Sequence, residues 1–217
     1  MSTIVIVDAD NGLGLPIAKV FGHKGYNVAL IGRDASGLDE LAARLGAERV
    51  TAAAFPADVL DPAAARTTLE QVTERFGEIE VLAYSAIARP SAPDTPGTGA
   101  ADVTMEALRP HLDRCLGAAI NVVRPVLPRM IERDNGTLIF TTGLCSLHPV
   151  PGLALAGIAA AGLRSWVHSL HAELTGTGVH AAHIALGTPA PGHAADAIGA
   201  LYWDVHTNRD QVELLLT

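Results

Sequence analysis

Short runs of apolar, largely β-branched residues alternate along this chain with longer segments in which apolar residues recur at helical spacing. Such runs are typical of strands buried on both faces, and the segments between them are long enough to cross back over a sheet. The alternation predicts repeated strand–helix–strand units, and hence an α/β fold with a doubly wound, mostly parallel sheet in three layers. The predicted strands are 3–7, 27–31, 49–55, 81–85, 137–142, 179–186 and 211–216, and the predicted helices are 15–24, 36–45, 62–76, 107–133, 155–174 and 194–206.

The length of 217 residues, 49% of them hydrophobic, is enough for a sizeable core and favours one domain over residues 1–217. Residues 88–104 carry three prolines and two glycines, a composition that predicts a loop within that domain. Pro125 and Pro128 fall inside a predicted helix, so we expect that helix to kink or begin anew there.

Composition excludes several classes of function. The formal net charge of −8 and the pI near 5.5 leave no broad basic face, which argues against nucleic-acid and membrane partners. Cys115 and Cys145 have no pairing pattern, and the first apolar run, residues 3–7, is too short for a signal peptide or a span. We therefore expect a soluble, cytoplasmic protein with reduced thiols.

The first strand is followed by a glycine-containing turn and then a helix, with the sequence Asp8-Ala9-Asp10-Asn11-Gly12-Leu13-Gly14. Gly12 and Gly14 stand where missing side chains let backbone N–H groups approach a phosphate. Arg33 follows the second strand, where a guanidinium can pair with a 2′-phosphate and favours NADP(H) over NAD(H).

Asp8 and Asp10 place two carboxylates in this same turn. Repulsion of about 1 to 4 kcal/mol for each close charge pair would weaken dinucleotide binding by one to three orders of magnitude. The alternative is that the carboxylates point away, with Asp10 or Asn11 capping the helix, or that they hydrogen-bond a ribose. NADP(H) is therefore the expected cofactor only if the two carboxylates point away from the phosphates or hydrogen-bond a ribose.

Six segments carry a resemblance to a known family: Gly12-Leu13-Gly14, Gly32-Arg33, Ala57-Asp58-Val59, NVVRPVLPRM ending at Met130, GTLIFTT, and HAELTGTGV followed by Leu186-Gly187. In the order of these segments, across nearly its whole length, the chain resembles the short-chain dehydrogenase/reductase family. The resemblance implies a Rossmann-type fold, binding of NAD(H) or NADP(H), and oxidation or reduction of alcohols and carbonyls by a Ser, Tyr and Lys set supported by an Asn. It also implies that Asp58 contacts the adenine, and that Gly12, Gly14 and Arg33 hold the phosphates.

The chain departs from the family pattern at the positions that carry the chemistry. The first glycine of the turn is Asp8, the supporting Asn falls at about Cys115, and the catalytic Ser falls at Thr142 or Gly143. The Tyr and Lys fall on Ala156 and Ala160, and no Tyr or Lys occurs between Gly143 and Leu201. Alanines can neither donate a proton to an alkoxide nor lower the pKa of a neighbouring donor. A further departure follows the fourth strand, where the family's Asn-Asn-Ala-Gly becomes Tyr84-Ser85-Ala86-Ile87.

Other polar residues lie at the predicted carboxyl ends of strands, where parallel sheets bind ligands. Tyr84 and His148 are the best placed general acid or base, and Thr142 is the third candidate catalytic residue. Substrate-pocket candidates are Ser85, Cys145 and Ser146. The nine histidines show no acidic or Cys partner at ligand spacing, so we predict no metal site.

Three functions remain open from the sequence. The first is a non-redox enzyme, of cyclase, isomerase or dehydratase type, that acts on a small organic substrate through Tyr84 and His148. The second is an NADP(H)-dependent oxidoreductase with a displaced proton donor, and the third is a non-catalytic subunit that pairs with an active relative. The resemblance implies a homodimer or homotetramer, and the Ala/Gly-rich segment 154–162 suits close helix packing.

Overall fold

Seven parallel strands form one sheet in the computed structural model of this protein, which describes residues 2–9, 12–87, 98–187 and 194–216. Their order across the sheet is β3-β2-β1-β4-β5-β6-β7. The chain therefore winds outward in both directions from the pair β1 and β4, as a doubly wound fold requires. The strands are β1 (Thr3–Val7), β2 (Asn27–Gly32), β3 (Ala52–Pro56), β4 (Ile79–Ser85), β5 (Gly136–Gly143), β6 (Val179–Leu186) and β7 (Glu213–Leu216).

Helices cover both faces of the sheet. One face packs against α3, α5 and α6, and the other against α1, α2 and α7, so two apolar cores flank the strands. The fold class predicted from the sequence is confirmed. The helices are α1 (Gly14–His23), α2 (Ala35–Ala47), α3 (Pro62–Phe76), α4 (Met105–Leu112), α5 (Ala118–Glu132), α6 (Ala154–Glu173) and α7 (Ala194–Asn208).

The structure corrects two of the predicted elements. The predicted strand 49–55 begins only at Ala52, because Arg49 adopts a left-handed φ of 63° and the Val50 N–H caps the end of α2 at the Leu45 carbonyl. The predicted helix 107–133 is interrupted by a π-helical turn over Asp113–Gly117, upstream of its prolines. Pro125 and Pro128 lie inside α5, which does not begin anew there. Of the predicted loop, residues 88–97 lie outside the described residues.

Helices α1 and α7 approach each other closely at Gly199. A Cβ added there would stand 2.5 Å from the Pro16 carbonyl oxygen and 2.6 Å from a methyl carbon of Val20. Both distances are well inside van der Waals contact, and one of the two atoms belongs to the backbone. The packing of these helices therefore depends on the absence of a side chain at this position.

We expect Gly199→Ala to lower the free energy of unfolding by about 1 to 3 kcal/mol, because a close-packed interface has no room for the methyl group. The matched control is Gly46→Ala in α2, where an added Cβ meets nothing within 4 Å. That change should leave stability unchanged or raise it slightly, since Ala favours a helix over Gly. Urea unfolding of both variants measures the difference, and equal stabilities would contradict the packing account.

Candidate functional site

The carboxyl ends of β1 to β4 converge at the point where the strand order reverses, and several of the predicted site residues meet there. Asp8, Arg33, Asp58 and Tyr84 line one small cavity together with Arg114, which the sequence analysis had not singled out. The cavity has a volume of about 10 Å³, room for roughly one water. Two carboxylates and two guanidinium groups thus share one rim.

The described residues of the turn between β1 and α1 include two with left-handed backbone conformation. Gly12 has a φ of 96°, and Asp8, which occupies the place of the family's first glycine, has a φ of 54°. Asp is among the residues that tolerate this left-handed region best. A Cβ on Gly14 would stand 2.0 Å from the Ala9 carbonyl oxygen, so Gly14 allows α1 to pack directly on the end of β1. The expected cap from Asp10 or Asn11 falls outside the described residues.

The loops after β2 and β3 hold their acidic residues in local hydrogen bonds. Asp34 caps α2 by accepting from the Gly37 N–H at 3.1 Å, and Asp58 accepts from the Leu60 N–H at 3.1 Å. Arg33 itself is exposed to solvent at the rim of the cavity. Its guanidinium is therefore accessible to an anionic ligand.

Tyr84 does not have the setting that the sequence suggested for a proton donor. The side chain is 0% exposed, and its hydroxyl donates to the backbone carbonyl of Arg114 in the π-helical turn. Burial raises the pKa of Tyr84 well above its usual value, and the charge of Asp8 adds to the rise. The phenol lines the cavity from the core and holds the π-helical turn against the sheet, so we assign it a packing role.

Ser85 follows Tyr84 and faces the other side of the sheet. It is 5% exposed, and its Oγ has no hydrogen-bond partner among the residues that the structure describes. A buried hydroxyl without a partner costs free energy, so it marks a place where a ligand or water would be stabilised. Ser85 pairs in register with Thr141 of β5, whose hydroxyl is bonded to Tyr202.

Thr142 and Ser146 lie together at the end of β5, as the sequence placed them, but they meet two residues that the sequence analysis missed. Thr142 Oγ1 lies 2.9 Å from Ser146 Oγ and 2.8 Å from His183 Nε2, and His183 Nδ1 lies 3.1 Å from Glu213 Oε1. The signal in the sequence was weak: a His inside the apolar strand β6 and a Glu in β7. Only the register, which places His183 opposite Glu213, brings the two together.

The charges of this cluster come from three elements. Arg164 of α6 donates from Nη2 to Glu213 at 2.7 Å, and this bond contributes most to lowering the pKa of Glu213 to about 2. His168, also of α6, lies 3.3 Å from the same carboxylate. Burial lowers the pKa of His183, against the opposing effect of Glu213. His183 is therefore neutral at pH 7.

The other predicted pocket residues are spread around this end of β5. His148 is exposed, whereas Cys145 is half-buried. Burial raises the pKa of both cysteines, that of Cys115 to about 12, so both thiols are protonated at neutral pH. Ala156 and Ala160 lie one turn apart on α6, and Ala160 is 6% exposed.

The described residues contain neither a membrane-spanning helix nor a cluster of metal ligands. Within the described residues, none of the helices is long and apolar enough to cross a membrane. Nor does that part of the chain hold three or more His, Cys, Asp or Glu side chains in an arrangement that could bind a metal ion.

The low pKa of Glu213 predicts how the free energy of unfolding depends on pH in acid. A carboxyl whose pKa is lower in the folded state stabilises the fold above its ordinary pKa, here 4.5, and loses that contribution as the pH falls through its folded pKa of about 2. We expect the free energy of unfolding to fall over this interval, and less steeply in Glu213→Gln. Urea unfolding at a series of pH values measures it. Glu40→Gln, an exposed position of α2, should follow the wild type; identical slopes in all three proteins would refute the assignment.

Comparisons with known proteins agree with this architecture. The family model described as short chain dehydrogenase matches residues 2–197. "Sulfoacetaldehyde reductase 2" of Chromohalobacter salexigens is 30% identical over 190 residues, which cover 86% of this chain and 73% of that protein. "(2S)-[(R)-hydroxy(phenyl)methyl]succinyl-CoA dehydrogenase subunit BbsC" of Thauera aromatica is 32% identical over 186 residues, which cover 84% of this chain and 70% of that protein.

Among solved structures, a metagenomic short-chain oxidoreductase in complex with NADP has a TM-score of 0.83 and 22% identity, with 99% of this chain and 96% of that chain covered. At that identity the likeness supports the fold. The family match spans most of the chain and therefore supports membership of the family as well as the fold. With its doubly wound sheet and glycine turn, the chain belongs to the short chain dehydrogenase family.

Proposed function

We propose that this protein is an NADP(H)-dependent oxidoreductase that exchanges hydride with small alcohols or carbonyl compounds and takes its proton from a displaced donor. The observation that carries the proposal is the turn after β1. Asp8 and Gly12 have positive φ angles, and Gly14 lets α1 pack on the strand end, so the described residues of the turn support a pyrophosphate site at the start of α1.

The charges around the turn support the same ligand. Asp8 and Asp58 share the cavity rim with Arg33 and Arg114, so the formal charge of the four side chains sums to zero. The repulsion expected from Asp8 is therefore opposed by two guanidinium groups. Arg33, exposed after β2, is placed to bind a 2′-phosphate, which favours NADP(H). The solved neighbour that contains NADP adds support from the fold.

The residues present fit a nicotinamide dinucleotide. The orphaned Ser85 Oγ lies at the carboxyl end of β4, beside β1, where a polar ligand would give it a partner. The nicotinamide, when bound, supplies or accepts hydride at the carbon of a carbonyl or alcohol. The chain has to bind and orient both molecules and move the proton.

The non-redox alternative loses its support. It depended on Tyr84 and His148, and Tyr84 is fully buried with its hydroxyl bonded to the Arg114 carbonyl. The relatives at about 30% identity are named as a reductase and a dehydrogenase subunit.

A second candidate is a non-catalytic subunit that assembles with an active relative. It is favoured by Ala156 and Ala160 at the positions where the family's Tyr and Lys fall, and by the relative that is itself named as a subunit of a dehydrogenase. In either case we propose an oligomer formed through α5 and α6. Stable co-purification with a second family member, with no turnover by this chain alone, would favour the subunit.

Calorimetric titration with NADPH and NADH tests the oxidoreductase. We expect micromolar binding of NADPH, weaker binding of NADH, and a loss of about tenfold or more for NADPH in Arg33→Ala, because a phosphate–guanidinium pair is charge-assisted. Arg44→Ala, on the exposed side of α2, is the matched control and should bind as the wild type does. Absence of binding at millimolar NADPH would overturn the proposal.

A further inference from the structure

We propose that Arg114 is a positioning residue of the nucleotide site: its guanidinium offsets the charge of Asp8, so that a turn containing an aspartate can accept the phosphates of NADP(H). Tyr84 holds the π-helical turn that carries Arg114. The inference rests on the proposed function for its ligand, whereas the pairing of Arg114 with Asp8 is a property of the free chain.

Asp8 and Arg114 are far apart in the sequence but line the same small cavity. Its volume of about 10 Å³ leaves room for roughly one water, so the side chains around it stand close together. Asp8 is half-buried, and water screens its charge less than it screens that of an exposed carboxylate. An opposite charge on the same cavity therefore stabilises Asp8 more than a distant surface cation would.

Tyr84 connects the two residues. It pairs in register with Val7 at the end of β1, directly before Asp8, and its hydroxyl donates to the Arg114 backbone carbonyl. The pKa of Tyr84 is raised chiefly by burial; the charge of Asp8 raises it further, and the charge of Arg114 opposes the rise. Because both charges act on one hydroxyl, with opposite signs, both stand near it.

The π-helical turn makes this connection possible. The Ala118 N–H donates to the carbonyl of Asp113, five residues back, and not to that of Arg114, four residues back. The Arg114 carbonyl accepts from the Tyr84 hydroxyl instead. This hydrogen bond fixes the backbone of the turn beside the end of β1, and with it the point from which the Arg114 side chain extends.

The other charged groups of the cavity have different partners. Asp58 accepts from the Leu60 N–H at 3.1 Å, and Arg33, exposed after β2, is the group proposed above for the 2′-phosphate. Among the described residues that line the cavity, Arg114 is the remaining cation that can offset Asp8. Without it, a bound phosphate and Asp8 would repel each other, which weakens binding by about tenfold for one close charge pair.

Rescue by a second substitution tests the pairing. We expect Arg114→Gln to weaken NADPH binding by about tenfold, and the same change to cost less than about twofold in the Asp8→Asn background. Asn is the suitable replacement, because it tolerates the left-handed φ of 54° that Asp8 adopts. Tyr84→Phe, which releases the π-helical turn, should weaken binding in the same direction, and Asp8→Asn should restore it. Calorimetric titration measures each affinity.

Arg109→Gln is the matched control. It removes one positive charge from an exposed residue of α4, which lines a neighbouring cavity of about 620 Å³ and not the one that Asp8 lines. NADPH affinity should change by less than about twofold in this variant. Arg114→Gln with no loss of affinity, or with a loss that Asp8→Asn leaves in full, would overturn the pairing; the second result would mean that Arg114 contacts the nucleotide directly.

A measurement without cofactor separates this inference from the proposed function. Nitrogen-15 spectra of the free protein report the Nε–H signal of Arg114 and its exchange with water. We expect Asp8→Asn to shift this signal and to speed its exchange by about twofold or more, because a charge-assisted partner is lost. Asp39→Asn, at an exposed position of α2, should leave the signal unchanged. A signal that Asp8→Asn also leaves unchanged would overturn the pairing, whereas failure of the wild type to bind NADPH would overturn only the proposed function.

Discussion

Burial of a parallel sheet on both faces is the constraint on which the rest of this structure depends. Because helices cover each side, the strands are apolar almost throughout, and β1, β2 and β6 are buried at every position. Polar chemistry is thereby confined to the strand ends. The few polar side chains that are buried need hydrogen-bond partners inside the protein. Thr142 and His183, for example, lie within hydrogen-bond distance of each other.

Opposite charges are balanced at the proposed nucleotide site, although the turn after β1 contains an aspartate. Asp8 adopts a left-handed conformation, which glycine adopts most readily. Arg33 and Arg114 line the same cavity as Asp8 and Asp58, so the formal charges of the four side chains sum to zero.

Periodicity was sufficient to predict the fold. The strands 3–7 and 179–186 and the helix 62–76 have the predicted bounds, because an apolar run and a Pro at the first helical turn are local signals. Side-chain surroundings are not local. Whether Tyr84 faces a pocket or a core depends on the π-helical turn that covers it, and the pairing of His183 with Glu213 depends on the register of two strands about 30 residues apart. The sequence analysis therefore named Thr142 and Ser146 but not His183 and Glu213, which form hydrogen bonds beside them.

A crystal structure of the protein grown with NADP⁺ tests the central claim most directly, since it shows both the place and the orientation of the nucleotide. The account predicts the pyrophosphate against the turn at Gly12, the 2′-phosphate beside Arg33, and a new hydrogen bond to Ser85 Oγ. A nucleotide bound elsewhere, or a turn left empty at saturating NADP⁺ with Asp8 facing into it, would contradict the account.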